Sequence, residues 1–271
     1  MKQVASLQYG VIFKKAFSQP DIFTAFVKAV LGIQFSCDKV ETEKSFRPSI
    51  GNVDSRFDLF AQDEKNRVIV DIQHRKKDSH YDRFLHYHCA AILEQMPRGE
   101  QSYRPPLAVY TIVVLTSLDK YEKDVLTIDF DPKDLQGKGI GEIPHKVIYL
   151  CPKCVSENTP MAYREWMEAI ADTLDTKVEE SDYHNAMIQK VFETIEESGL
   201  TPRDRANMID EYEDRLFVET ERKDAELQSK KEIAKGMLAE KLSLELIVKL
   251  TGLSFSEIEK LGVPLLNDVE K

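Results

Sequence analysis

Apolar and polar side chains alternate along residues 53–62 and again along 66–74, with the polar run Asp63-Glu64-Lys65-Asn66 between them. Period-two alternation interrupted by turn-forming residues predicts two antiparallel strands joined by a short loop. In the first strand Val53, Ser55, Phe57, Leu59 and Ala61 fall on one face, and Asp54, Arg56, Asp58 and Phe60 on the other. In the second, Ile69, Asp71 and Gln73 lie opposite Val68, Val70, Ile72 and His74. A two- or four-residue loop centred on the polar run pairs residues whose numbers sum to 129, which sets Asp58 across from Asp71. A slip of one residue would send Asp71 to the opposite face from Asp58.

The rest of the pattern places other elements around this hairpin. Residues 9–31 carry apolar positions at helical spacing, broken at Pro20, so two short helices are expected, with Gly32 as the stop. Residues 38–47 alternate loosely as a first strand, and 48–52 form a loop. Ser79 is a suitable N-cap for a helix over 79–96, with Tyr81, Phe84, Leu85, His88, Ala91 and Ile92 on one face and Pro97 and Gly99 ending it. The nearly continuous apolar run 107–116 predicts a central strand buried on both faces. Residues 117–145 look like an insertion, Lys146–Leu150 a short strand and 161–174 a helix. From about 176 the strand signals end and charged helical runs take over, with an interrupted apolar seam and two short helices about Gly252. The expected fold class is α/β: a mixed central sheet flanked by helices in residues 1–175, and an α-helical C-terminal extension in 176–271.

At 271 residues and 42% hydrophobic, the chain can bury a sizeable core. No apolar run approaches the length of a membrane span, and the N-terminal residues lack a signal-like apolar region, so a cytoplasmic protein is expected. Cys37, Cys89, Cys151 and Cys154 do not suggest a disulfide framework. The net charge of −10 argues against simple binding along a phosphate backbone, but the charge is uneven. Residues 1–110 hold 16 Lys and Arg against 13 Asp and Glu, a balance of +3, and the remainder holds 21 against 34, a balance of −13. The half with the hairpin is the half that phosphate tolerates.

Two opposed carboxylates about 5 Å apart repel by roughly 3 kcal/mol at an effective dielectric of about 20. A small cation between them reverses the sign, and hard oxygen ligands on a rigid hairpin suit Mg²⁺ or Mn²⁺. The plain alternative is an exposed face on which water and Arg56 or Arg67 offset the charge.

Asp58, a turn, and then Asp71-Ile72-Gln73 resembles the core of the PD-(D/E)xK nucleases, an Asp followed on the next strand by (D/E)-x-K. The branch it most resembles is the recombination-promoting nuclease and transposase family, whose pattern ends in (D/E)-x-Q. Other stretches agree in order. Val11-Ile-Phe-Lys-Lys-Ala-Phe17 is similar to that family's first helix, Tyr81-Asp-Arg-Phe-Leu-His-Tyr87 to its R-x-x-x-Y helix, and Gly99-Glu-Gln-Ser-Tyr103 with the strand after it to its G-x-x-Y passage. The tail Ile247-Val-Lys-Leu-Thr-Gly-Leu-Ser-Phe-Ser-Glu-Ile258 resembles its C-terminal segment. No proline precedes Asp58, Asp71 stands for the commoner Glu, and Gln73 stands where much of the superfamily has Lys.

The resemblance implies a restriction-endonuclease-like core and an Mg²⁺- or Mn²⁺-dependent DNA endonuclease. Asp58, Asp71 and the carbonyl of Ile72 would hold the metal, and Gln73 would orient a water. Arg75, Lys76, Lys77 and Arg83 are the candidate contacts to DNA, and the C-terminal helices could join copies in a homo-oligomer. The alternative class is a catalytically weakened nuclease fold that binds DNA or a protein; Gln73 and the acidic tail favour it, and the two retained aspartates oppose it. Cys151-Pro-Lys-Cys154 lacks the second ligand pair a zinc site needs. His86 and His88 read as packing or surface residues. The stretch from Tyr9 to Lys14 reads as a cap and packing element, with a substrate-facing Lys14 as the other option.

Overall fold

The computed structural model of the chain describes residues 1–46, 55–74, 80–96, 103–118 and 120–262. The expected loop at 48–52, the Ser79 cap, the Pro97 and Gly99 stop, Gly99–Ser102 of the G-x-x-Y passage, and the candidate DNA contacts Arg75, Lys76 and Lys77 lie outside the described residues.

Helix α1 (Gly10–Phe17) buries Ile12, Phe13, Ala16 and Phe17, and α2 (Pro20–Leu31) buries Ile22, Phe23, Phe26, Val27 and Val30. Pro20 opens α2 rather than merely interrupting a longer helix, because its missing N–H falls in a first turn that has no acceptor for it. Gly32 closes α2 at φ 65°, a conformation other residues rarely adopt. The Phe13 and Phe17 rings stack at 4.3 Å, and Phe26 meets Trp166 edge-on at 5.4 Å.

The sheet has six strands: β2 (Glu41–Phe46), β3 (Ser55–Gln62), β4 (Asn66–Gln73), β5 (Ala108–Leu115), β6 (Val125–Asp129) and β7 (Lys146–Leu150). Their spatial order is β2-β3-β4-β5-β7-β6, with β4, β5 and β7 mutually parallel and the remaining pairs antiparallel. Helix α3 (His80–Leu93) makes the crossover between β4 and β5. As expected, β5 lies inside the sheet and is almost wholly buried. Val68, Val70, Ile112, Val114, Ile148 and Leu150 face the core shared with α1, α2, α4 (Met161–Asp172) and α5 (Ala186–Thr194). Ile69, Val109, Val113, Val147 and Tyr149 face the other way, toward Phe84 and Ala91 of α3.

Three strands escape the sequence pattern. β6 lies within the stretch taken as an insertion and pairs antiparallel with β7 at the sheet edge. β1 (Lys2–Gln3) and β8 (Lys177–Val178) pair with each other, each too short to show a period. Residues beyond 176 also contribute to the main core, through Val178, Ile188, Val191, Phe192 and Ile195.

The chain divides into two compact units, Met1–Met208 and Ile209–Lys271, and the boundary falls within the 38-residue helix α6 (Pro202–Ala239). In the second unit Ala234 of α6 packs with Ile247 of α7 (Leu244–Thr251), with Leu253, and with Ile258 of α8 (Phe255–Gly262). Gly252 joins α7 to α8 at φ 70°. Among the described residues no helix is long and apolar enough to cross a membrane.

Candidate metal centre and its charged surroundings

The hairpin turn is closed by Asp63, whose Oδ1 accepts the amides of Lys65 and Asn66 at 2.8 and 2.7 Å. From there the ladder runs through Gln62–Arg67, Ala61–Val68, Phe60–Ile69 and Leu59–Val70, all summing to 129. At the next position side chains replace the ladder bonds. The Asp58 amide donates to Asp71 Oδ1 at 3.1 Å, and the Ile72 amide donates to Asp58 Oδ2 at 2.9 Å. The structure thus brings Asp58, Asp71 and Ile72 together.

One face assignment is corrected. Phe57 does not share a face with Leu59 and Ala61; it packs with Phe46, Phe60 and Tyr87 on the α3 side. The alternation slips between Phe57 and Leu59, at Asp58. Across from Asp58, Glu43 of β2 has φ 56°, and the β2–β3 pairing holds on either side of these two residues while omitting them. A local distortion of this kind turns a strand and re-aims its side chain. Asp58 therefore meets charge from both layers, Lys14 of α1 and Arg83 of α3.

Asp71 is 4% exposed, and its Oδ2 is buried without a hydrogen-bond partner. Burial first, and the Asp58 charge second, hold the Asp71 carboxyl well above the usual carboxylate range. Burial also raises Asp58, against the pull of the Ile72 amide and Lys14. Gln73 lies on the same side of β4 as Asp71, and its Oε1 accepts from Arg83 Nη2 at 2.7 Å. The Arg83 guanidinium also rests over the Phe84 ring at 4.4 Å. Arg83 is thus built into the site beside Gln73 and lowers the cost of charge on both aspartates.

No cluster of three His, Cys, Asp or Glu side chains suited to a metal occurs among the described residues. The donors the described residues place together are the two carboxylates, to which the Ile72 carbonyl and water would add further hard oxygens. That set fits a hard ion such as Mg²⁺, which keeps several waters, and the orphaned Asp71 oxygen fits a missing ligand partner. Glu43, which the sequence reading passed over, completes the surroundings. Glu43 binds Lys14 and Arg56, and Lys14 Nζ lies 3.9 Å from Asp58 Oδ1. His88 is structural: its Nδ1 meets Thr111 Oγ1 at 2.9 Å, its ring stacks on Phe130, and burial drops its pKa to about 3. Cys151 and Cys154 touch through their sulfurs at 3.1 Å, and both are free thiols.

A mixed six-stranded sheet, helices on both faces and an acidic pair where β3 and β4 part define the restriction-endonuclease-like class of α/β proteins. Residues 9–225 match the family described as PD-(D/E)XK nuclease family transposase, and the chain belongs to that family. Residues 227–263 match the C-terminal HTH domain of the Rpn/YhgA-like nuclease family, which covers α7 and α8 with the turn at Gly252. The two helices were legible in the sequence; their helix-turn-helix character was not inferred. No curated protein and no solved structure matches the chain.

Proposed function

We propose that the protein is a divalent-metal-dependent DNA endonuclease. The observation that carries this reading is the Asp58–Asp71 pair, in which a buried carboxylate oxygen stands without a partner at the open end of a hairpin. Asp58, Asp71 and the Ile72 carbonyl would hold Mg²⁺ or Mn²⁺. A divalent ion lowers the pKa of a bound water and offsets charge on the phosphorane-like transition state. Arg83 fixes the Gln73 amide through its Oε1, and Gln73 orients the attacking water. Arg75, Lys76 and Lys77 follow β4 in sequence and would contact the phosphate backbone. The helix-turn-helix suggests a second contact to DNA.

The second reading, a weakened nuclease fold that binds DNA without cutting it, is favoured by Gln73, which cannot take a proton near neutral pH as a lysine of lowered pKa can. Plasmid cleavage in Mg²⁺, Mn²⁺, Ca²⁺ or EDTA decides between them. Nicking or linearisation in Mg²⁺ or Mn²⁺, absent in EDTA and in Asp71→Ala, is the expected result. Binding without cleavage under every condition would select the second reading.

A further inference from the structure

Glu43 adopts a backbone conformation, φ 56°, that a side chain with a Cβ disfavours, and it does so inside a strand that pairs regularly on both sides of it. Such a residue persists only where its surroundings require it. Its carboxylate holds two cations, Oε1 on Lys14 Nζ and Oε2 on Arg56 Nε. Lys14 is the one of these that reaches the aspartate pair, at 3.9 Å from Asp58 Oδ1, and about a quarter of its side chain is open to solvent. Phe13, its neighbour on α1, is fully buried, so the helix is locked and the Lys14 stem emerges from a fixed point.

Among the described residues, Arg83, Arg56 and Lys14 lie around the site, and they are not equivalent. Arg83 is committed to Gln73 and stacked on Phe84. Arg56 lies on the far oxygen of Glu43 and is mostly exposed. Lys14 is within reach of a ligand at Asp58, yet its shorter contact is to Glu43. Its other carboxylate contact among the described residues is Asp58, and without Glu43 the ammonium would compete there with a cation for the same carboxylate.

We propose that Lys14 is a catalytic residue of this site and Glu43 its positioning residue, keeping the ammonium beside Asp58 but not seated on it, so that it meets the negative charge building on the scissile phosphate. The inference rests on the endonuclease reading above. The charge on Lys14 stays fixed throughout, and no proton transfer by it is involved.

The test measures Mn²⁺ affinity by calorimetry and plasmid cleavage at saturating Mn²⁺ for wild type, Lys14→Met, Lys14→Arg, Glu43→Gln and the double variant Lys14→Met with Glu43→Gln. Lys14→Met should bind Mn²⁺ at least as tightly as wild type, because a repelling charge is gone, yet cleave about a hundredfold more slowly. Lys14→Arg should recover part of the rate. Glu43→Gln should weaken Mn²⁺ binding and slow cleavage, and both effects should vanish in the Lys14→Met background. The inference is overturned alone if wild type cleaves and Lys14→Met cleaves equally fast, or if Lys14→Met loses Mn²⁺ binding. It is also overturned if Glu43→Gln abolishes Mn²⁺ binding in both backgrounds, which would make Glu43 a ligand. A wild type that fails to cleave in Mg²⁺ and Mn²⁺ overturns the endonuclease reading and the inference together.

Discussion

The two ends of one hairpin obey different rules. At the turn end the strands are joined by a regular ladder, Leu59 and Val70 fill the core, and the buried Arg67 donates through Nη1 to the Ala91 carbonyl at 3.0 Å and to Glu94 at 2.6 Å. At the other end the ladder gives way to carboxylates, and a buried acid keeps an oxygen with no partner. The same two strands thus hold a cation paired with a carboxylate at one end and two carboxylates facing each other a few residues away. The difference teaches where to look for function: buried charges are normally set against opposite charge, so two like charges placed together, one with a carboxylate oxygen lacking a partner, mark a place that suits a cation.

The sharpest way to break this comparison is to remove a carboxylate. Asp58→Ala and Asp71→Ala should each lower single-turnover cleavage of a DNA duplex by about a thousandfold or more, since a small hard ion has few protein ligands to lose. Cleavage near the wild-type rate from either folded variant would end the metal-site account. Leu59→Ala, at the turn end, should do the reverse. It should cost about 3 kcal/mol in urea unfolding while leaving Mn²⁺ affinity intact.

The position between these extremes is Gln73. Gln73→Ala should slow cleavage less than loss of either aspartate, because it frees a water-orienting group rather than a ligand. Gln73→Lys restores the residue common in the superfamily, but it sets an ammonium against the Arg83 guanidinium that now bonds Gln73. It should lower the melting temperature and should raise cleavage only when combined with Arg83→Met. A gain from Gln73→Lys alone would show that Arg83 moves aside.

A smaller effect concerns acid. His88 is buried on the α3 side and its folded pKa is near 3, below the value of about 6.5 in an unfolded chain. The unfolded state therefore binds the proton first. His88 contributes stability above pH 6.5 and loses it as pH falls, at up to about 1.4 kcal/mol per pH unit. His88→Gln should flatten that acid limb in denaturant titrations between pH 7 and 4 without altering Mn²⁺ affinity.

Much of this was legible in the sequence, and the failures are local. The register of β3 on β4 follows from the turn and from the side on which Asp71 must sit, so the sequence alone sets Asp58 beside Asp71. The face of Phe57 could not, because the alternation slips at Asp58, opposite a left-handed Glu43, and a non-glycine in that conformation leaves no mark in the pattern. Glu43 was passed over for the same reason. Lys14 stood out, but not its partner, since an ion pair between α1 and β2 has no spacing rule. The edge strand β6 was hidden because its five residues are all partly exposed and show no clean period. Chemistry carried by period and parity was readable; chemistry carried by a local break in them was not.

The Asp58–Asp71 pair is expected to take a divalent ion. Calorimetric titration of the metal-free protein with Mn²⁺ at pH 7.5 measures this directly. Binding at this pair is expected for wild type, because the two carboxylates meet at the end of the hairpin and one Asp71 oxygen stands without a partner. Asp71→Asn should show no heat of binding, and its metal-free form should melt at a higher temperature than wild type because the cost of burying a carboxyl beside Asp58 is gone. Equal Mn²⁺ binding by wild type and Asp71→Asn, both folded, would contradict the account.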